Sequence, residues 1–143
     1  MPAEVRTVPE RALIELDRAL PSGAVRTDRA EREAYARDES EAEPTLPDAV
    51  VRVGSTREVA RVMEVASAHE VPVTPRAGGT GRSGGAVPTR GGWVLAFERF
   101  DAIEEVHRGD AVAVVRPGAV LAAVHEAVEA EGLFYPPDPN SKN

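Results

Sequence analysis

The chain has 143 residues, no cysteine and a formal net charge of −7 at pH 7. This length suits one domain with a hydrophobic core and is short for a two-domain enzyme. The lack of cysteine excludes disulfides, thiol nucleophiles and thiolate metal sites, and the acidic balance without a basic patch argues against nucleic acid as a partner.

The first third of the chain predicts one amphipathic helix followed by a polar segment. Leucines recur at helical spacing between Pro9 and Leu20, and a proline follows directly. Residues 28–37 are compatible with a second helical stretch. The segment 38–44 is so strongly charged that we expect it to be solvated, without a catalytic carboxylate cluster.

Residues 49–74 carry the pattern of a β-α-β unit. A short β-branched run at 49–53 precedes a capping box formed by Ser55 and Glu58. The apolar face of the helix that follows is predicted to contain Val59, Val62, Met63 and Ala66. The run at 71–74 returns as a second strand, so the two strands should be parallel and joined by a right-handed connection.

A glycine-rich stretch, Pro75–Pro88, follows this second strand, and five of its fourteen residues are glycine. Glycine tolerates positive φ and has no Cβ, so backbone N–H groups in such a run can converge on an anion. Gly79, Gly81 and Gly84 match the dinucleotide fingerprint G-x-G-x-x-G literally. That fingerprint requires a helix after its last glycine, whereas the residues that follow predict a strand at 93–97. A Walker loop is excluded because no Gly-Lys-Ser/Thr is present. An anion cradle between two strands and a flexible linker remain open.

Three apolar runs and a helix complete the pattern. The runs lie at 93–97, 102–106 and 111–115, and the turn between the last two predicts an antiparallel hairpin. The helix is predicted over 119–131, with Gly132 as its C-terminal cap. We therefore expect a mostly antiparallel second sheet that starts with the first of these runs.

The order of these motifs resembles the N-terminal part of the FAD-binding PCMH-type fold of the vanillyl-alcohol oxidase superfamily. Within it, the chain is most similar to the FAD-linked oxidases of the glycolate oxidase and D-lactate dehydrogenase type. Four segments carry the resemblance: Leu46–Val51, the loop entered through Val71–Arg76, Ala113–Gly118 and Gly132–Ser141. The implied fold is α/β (α+β): a first subdomain with a small β-α-β unit, and the start of a second, largely antiparallel subdomain.

The resemblance also implies FAD as the cofactor, held at its pyrophosphate by main-chain amides of the glycine loop. Ten residues correspond to FAD contacts of the family: Arg76, Ala77, Gly78, Gly79, Thr80, Gly81, Ser83, Asp138, Asn140 and Ser141. Relatives that tether FAD in this loop have a histidine where this chain has Thr80, which implies non-covalent FAD. Ala77 replaces a glycine of the family, so either its φ is negative or the loop is strained. Arg82 replaces an apolar residue and is expected to face solvent.

The implied activity is the oxidation of a 2-hydroxy acid, such as glycolate or lactate, by hydride transfer to the flavin. Residues 1–47 would form a helical, charged lead-in, and residues 48–143 part of the FAD-binding domain, without its C-terminal part and the cap domain. No catalytic residue or metal ligand is assigned, and we expect this chain alone to be inactive. The alternatives are a truncated or split flavoprotein module that needs a partner chain and a scaffold that has lost the flavin. No signal-peptide pattern or run of membrane-spanning length is present, so we expect a soluble cytoplasmic protein.

Overall fold

The computed structural model describes residues 8–137. Within them the elements follow in chain order: α1 (Glu10–Ala19), β1 (Val25–Arg26), α2 (Arg29–Ala34), β2 (Ala49–Arg52), α3 (Thr56–Ala68), β3 (Val73–Arg76), β4 (Trp93–Ala96), β5 (Ile103–His107), β6 (Val112–Val115) and α4 (Leu121–Ala130).

Four of the strands form one sheet in the order β1-β2-β4-β3. Strands β2 and β3 both run parallel to β4, which lies between them, and Val94 of β4 pairs with Val50 on one side and with Thr74 on the other. The short strand β1 is antiparallel to β2 and forms one edge of the sheet. The predicted parallel direction of β2 and β3 is confirmed, although the two strands do not pair with each other.

The expectation that β4 opens a second, antiparallel sheet is wrong. All four residues of β4 are buried, as expected for a strand covered on both faces in the middle of a parallel sheet. On one face, Trp93 and Leu95 belong to the main hydrophobic cluster. The opposite face is also closed, since Val94 has no exposed surface.

Helices α1 and α3 cover the cluster side of the sheet. The predicted helix between Pro9 and Leu20 is confirmed, and Ala12 and Leu16 of α1 are completely buried. They belong to the same cluster as Val51 of β2 and Val62 of α3. Helix α1 thus shares one hydrophobic core with the sheet.

The capping box at the start of α3 is confirmed, except that Glu58 binds the amide of Gly54 and not that of the N-cap residue Ser55. The Glu58 amide donates to the Ser55 hydroxyl at 3.2 Å, and the Glu58 carboxylate accepts from the amide of Gly54 at 2.8 Å. On the buried face of α3 the prediction is wrong at Met63, which is 47% exposed, whereas Val65 is buried. The apolar stripe lies further around the helix than predicted.

Strands β5 and β6 form the predicted antiparallel hairpin, and α4 follows it. The chain passes from β6 to α4 through Gly118, whose amide donates to the carbonyl of Phe100 at 2.9 Å. A Cβ at this glycine would overlap with the carbonyl oxygen of Phe97. The close approach of two backbones therefore requires glycine at this position.

Candidate functional site

The glycine-rich connection between β3 and β4, residues 77–92, is the candidate site. It joins two neighbouring parallel strands and contains no helix. It leaves the sheet at the carboxyl end of β3, the edge at which open α/β sheets bind their ligands. No helix begins at Gly84, which confirms that the dinucleotide fingerprint fails here.

The backbone amides of this loop are available to a ligand. Within residues 8–137, none of the amides of residues 78–85 donates a hydrogen bond to the protein. Gly79 and Gly84 adopt φ values of +68° and +78°, which favour glycine, and Ala77 has no positive φ. The replacement at Ala77 therefore introduces no backbone strain. Consecutive free amides that include left-handed residues form the kind of concavity that binds anions.

Seven of the ten predicted contact residues lie at the end of β3 or in the loop: Arg76, Ala77, Gly78, Gly79, Thr80, Gly81 and Ser83. The other three, Asp138, Asn140 and Ser141, lie outside the described residues. Arg82 is exposed, as expected. Within the described part of the chain, the hydroxyl groups of Thr80 and Ser83 make no hydrogen bond, so both can donate to a ligand.

The side chain of Arg76 turns back from the loop toward the segment that follows α2. Its Nη1 donates to the carbonyl of Arg37 at 2.6 Å, and the guanidinium lies 5.3 Å from the centre of the Tyr35 ring. A Cβ at Gly79 would overlap with this guanidinium. Arg76 thus packs directly against the backbone of the glycine loop.

Asp38 belongs to this region, although its sequence context did not predict it. It is 8% exposed, so the expectation of a solvated segment is wrong at this residue. Its Oδ1 accepts from the amide of Ser40 at 3.0 Å, and its Oδ2 accepts from the amide of Ala86 at 3.3 Å. The Asp-x-Ser spacing is a signal for the first contact, since aspartate side chains often bind the amide two residues on. No local signal points to Ala86, which is 48 residues away along the chain.

Two ionisable side chains near the loop have shifted pKa values. Hydrogen bonding from Ser40 lowers the pKa of Asp38; burial opposes this effect, and the amide of Ala86 and the charge of Arg76 add to the lowering. Burial raises the pKa of Tyr35, as does its hydrogen bond to Glu98 at 2.8 Å. Asp38 is therefore a carboxylate at neutral pH, and Tyr35 is a neutral phenol.

A groove lies between the hairpin and α4. This groove has a cavity volume of about 350 Å³ and shares no residue with the glycine loop. Its lining is largely apolar: Ala111, Val112, Ala113, Val115, Ala119, Leu121, Val124, Val128, Leu133, Phe134 and Tyr135. Phe134 is 76% exposed and Val112 is 48% exposed.

The three histidines make contacts away from the glycine loop. The Nε2 atoms of His69 and His107 lie 2.8 Å and 3.0 Å from carboxylate oxygens of Glu15 and Glu105. His125 Nε2 lies 3.1 Å from the carbonyl oxygen of Pro137. Among the described residues, no group of three or more His, Asp or Glu side chains could hold a metal ion. The same residues contain no helix that is long and apolar enough to cross a membrane.

The fold and the loop define a class of protein: an α/β domain with a glycine-rich loop at the carboxyl edge of parallel strands. Comparison with known families specifies the class further. The profile of the FAD_binding_4 family, described as an FAD binding domain, matches residues 47–143. The chain belongs to this family of FAD-binding domains, and the predicted cofactor, FAD, is confirmed at this level.

Sequence relatives come from the predicted group of oxidoreductases. Glycolate oxidase subunit GlcD of Bacillus subtilis is 41% identical over 112 residues, which cover 78% of this chain and 24% of that protein. D-2-hydroxyglutarate dehydrogenase of Xanthomonas citri pv. viticola is 37% identical over 126 residues, covering 88% of this chain and 27% of that protein. The chain thus spans about a quarter of the length of these relatives.

Solved structures confirm the predicted fold. Alkyldihydroxyacetonephosphate synthase matches with a TM-score of 0.83 at 19% identity, covering 98% of this chain and 30% of that one. The 4-ethylphenol oxidase from Gulosibacter chungangensis matches with a TM-score of 0.79 at 26% identity, covering 96% and 29%. p-Cresol methylhydroxylase matches with a TM-score of 0.75. The architecture is therefore that of the PCMH-type flavoproteins.

Proposed function

We propose that this chain is the part of an FAD-linked oxidoreductase that holds the FAD pyrophosphate, and that the whole enzyme oxidises a small 2-hydroxy acid to the 2-oxo acid. The observation that carries the proposal is the run of free amides at residues 78–85, at the carboxyl edge of the sheet. The names of the sequence relatives, a glycolate oxidase component and a D-2-hydroxyglutarate dehydrogenase, support the substrate class.

The free amides fit a pyrophosphate because each N–H carries a partial positive charge and donates one hydrogen bond. In this proposal the amides of Gly78, Gly79 and Gly81 bind phosphate oxygens, and the hydroxyls of Thr80 and Ser83 complete the set. The positive φ of Gly79 turns the backbone where the run begins. An ordinary residue would be strained at this torsion angle.

Arg76 and Ala77 have structural roles at the start of the loop. The guanidinium of Arg76 is engaged with Arg37 and the ring of Tyr35, so we assign it to holding the loop. Ala77 contributes backbone only. We also propose that Asp138, Asn140 and Ser141 contact the flavin, as the family resemblance implies. The proposed domain runs over residues 48–143, with residues 1–47 as a lead-in.

We propose that the FAD is bound non-covalently. Thr80 stands at the position where the tethered relatives have a histidine, and the three histidines of this chain all contact groups outside the loop. Bound FAD would supply the hydride acceptor for the oxidation of the 2-hydroxy acid. The residues of this chain would bind and orient the cofactor, and none of them is assigned as the catalytic base.

The apolar groove supports a second candidate, a module that works together with further polypeptide. Exposed side chains such as Phe134 and Val112 form a face of the kind that soluble proteins usually cover. For this reason we expect the 143-residue chain to bind FAD without turning over glycolate or lactate. Robust turnover by the purified chain, measured with an artificial electron acceptor, would contradict this expectation.

The binding proposal is tested by titrating the purified chain with FAD, FMN and riboflavin and following the flavin fluorescence. A pyrophosphate cradle predicts that FAD binds most tightly, that riboflavin binds least, and that ADP competes with FAD. Equal affinity for FAD and riboflavin would refute the cradle. Precipitation of the FAD-loaded protein with acid should release all of the flavin into the supernatant, and flavin that stayed with the pellet would contradict non-covalent binding.

A further inference from the structure

The segment after α2, residues 35–42, touches the glycine loop at several separate points. Two hydrogen bonds join the segment to the loop itself: the amide of Glu39 donates to the carbonyl of Gly81 at 3.1 Å, and the amide of Ala86 donates to Oδ2 of Asp38 at 3.3 Å. A third joins it to the residue before the loop, since Arg76 Nη1 donates to the carbonyl of Arg37 at 2.6 Å. A fourth contact is steric, since a Cβ at Gly84 would lie 3.3 Å from the Cβ of Ala42.

These contacts hold the loop without using its free amides. The amide of Ala86 directly follows the free run 78–85, and Asp38 binds it. Within the run, the segment binds the carbonyl of Gly81, while the N–H groups stay free. Asp38 is itself fixed in orientation, because its other oxygen accepts from the amide of Ser40 at 3.0 Å.

We propose that Asp38 is a positioning residue for the cofactor: its carboxylate fixes the far end of the glycine loop, so that the amides of residues 78–85 face the pyrophosphate before FAD arrives. The proposal rests on the proposed function, since it requires that this loop binds the pyrophosphate. A loop fixed in advance loses less conformational freedom on binding, which raises affinity without adding a contact to the ligand.

A positioning role and an electrostatic role of Asp38 predict different effects when its negative charge is removed. A carboxylate close to the loop repels the two negative charges of a pyrophosphate, so removing its charge alone should strengthen FAD binding. If Asp38 acts by position, Asp38→Asn should instead weaken FAD binding, because asparagine has a single acceptor oxygen and cannot accept from the amides of both Ser40 and Ala86. The two roles therefore predict opposite changes.

The experiment compares the wild-type chain with Asp38→Asn and Asp38→Ala, and with Glu41→Gln as the matched control. Glu41 lies on the same segment, is exposed, and loses the same charge. FAD affinity is measured by flavin fluorescence, and the hydrogen exchange of the Ala86 amide is measured in the ligand-free chain. Both Asp38 variants should bind FAD roughly tenfold more weakly, the effect of losing one hydrogen bond to a charged group. Asp38→Ala should also lose protection at Ala86, whereas Glu41→Gln, which removes only a charge, should keep that protection and bind FAD at least as tightly as the wild type.

The outcomes separate this proposal from the proposed function. FAD binding by Asp38→Asn that equals or exceeds that of the wild type would overturn the positioning role, as would unchanged protection of the Ala86 amide in Asp38→Ala. A wild-type chain without any preference for FAD over riboflavin would overturn the proposed function, and the positioning role with it. If Asp38→Ala unfolds, Asp38→Asn, which keeps the volume of the side chain, decides the question.

Discussion

Replacing Gly79 with alanine is the sharpest test of the glycine loop, because the structure gives two separate reasons for glycine there. The φ of +68° would cost an L-residue about 1–2 kcal/mol. The added Cβ would also displace the guanidinium of Arg76 and break its hydrogen bond to Arg37, which is worth about 0.5–1.5 kcal/mol. Together these losses come to about 1.5–3.5 kcal/mol. A variant loop that relaxes to avoid them must recover the cradle geometry when FAD binds, which corresponds to roughly a tenfold to three-hundredfold loss of FAD affinity.

The assay is the titration of FAD against the purified variant, followed by flavin fluorescence. Gly85→Ala is the control, since Gly85 has no positive φ and the nearest atom to its added Cβ, the hydroxyl oxygen of Ser83, is 3.9 Å away. Gly79→Val should abolish FAD retention, because a β-branched residue tolerates positive φ least. The urea midpoint should stay close to that of the wild type, since a loop at a strand end carries binding more than packing.

A double-mutant cycle separates the two contributions at Gly79. In an Arg76→Ala background there is no guanidinium to displace, so Gly79→Ala should then cost only the torsional part, about 1–2 kcal/mol. An equal penalty in both backgrounds would refute the packing of Arg76 on Gly79. FAD affinity in Gly79→Ala equal to that in Gly85→Ala would refute the cradle itself.

Three further predictions concern the core, the pH dependence and one hydroxyl. Leu16→Ala should lower the free energy of unfolding in urea by about 2–5 kcal/mol because Leu16 is completely buried, whereas Ile14→Ala on the exposed side of the same helix should cost less than about 1 kcal/mol. The pKa of Asp38 in the folded chain lies below its ordinary value of 3.8. Ionised Asp38 therefore contributes its full stabilisation above pH 3.8, and this stabilisation is lost as the pH falls through the pKa of the folded chain. The difference in unfolding free energy between the wild type and Asp38→Asn should therefore be constant near neutral pH and shrink below pH 3.8; a difference that grew on acidification would contradict the shift. Thr80→Ala should weaken FAD binding by about 0.5–1.5 kcal/mol, the net contribution of one hydrogen bond. An effect as large as that of Gly79→Val would contradict the proposal that the backbone amides provide most of the binding.

The features that were predicted correctly depend on neighbours in sequence. The capping box of Ser55 and Glu58 lies within one helical turn, and the hairpin β5–β6 is closed by a short turn. The family resemblance added the cofactor, because its motifs follow one another in a fixed order. Each of these signals could be found without knowing which distant segments meet.

The features that were missed depend on contacts between distant segments. The four apolar residues of β4 do not show which strands they pair with, and only the packed structure places them between β2 and β3. The same holds for Met63 and Val65 of α3, since the face that a helix buries is set by the partner on which it packs. Asp38 is the clearest case, because a charged segment predicts solvent exposure until the loop that it holds is in place.

The connection from β3 to β4 contains no helix, and this explains why the amides of the loop are free. A helix would have satisfied the backbone of residues 77–92 within the connection itself, and most of its amides would then have been unavailable to a ligand. This loop is held from outside by two aspartates: Asp38 binds the amide of Ala86, and Asp48 accepts from the amide of Gly92 at 2.8 Å and donates its own amide to the carbonyl of Gly92 at 2.7 Å. Both contacts lie beyond the run 78–85 and use none of its amides. The polar segment before β2 thus supplies the order that a helix would otherwise give, and it leaves the middle of the loop free to bind an anion.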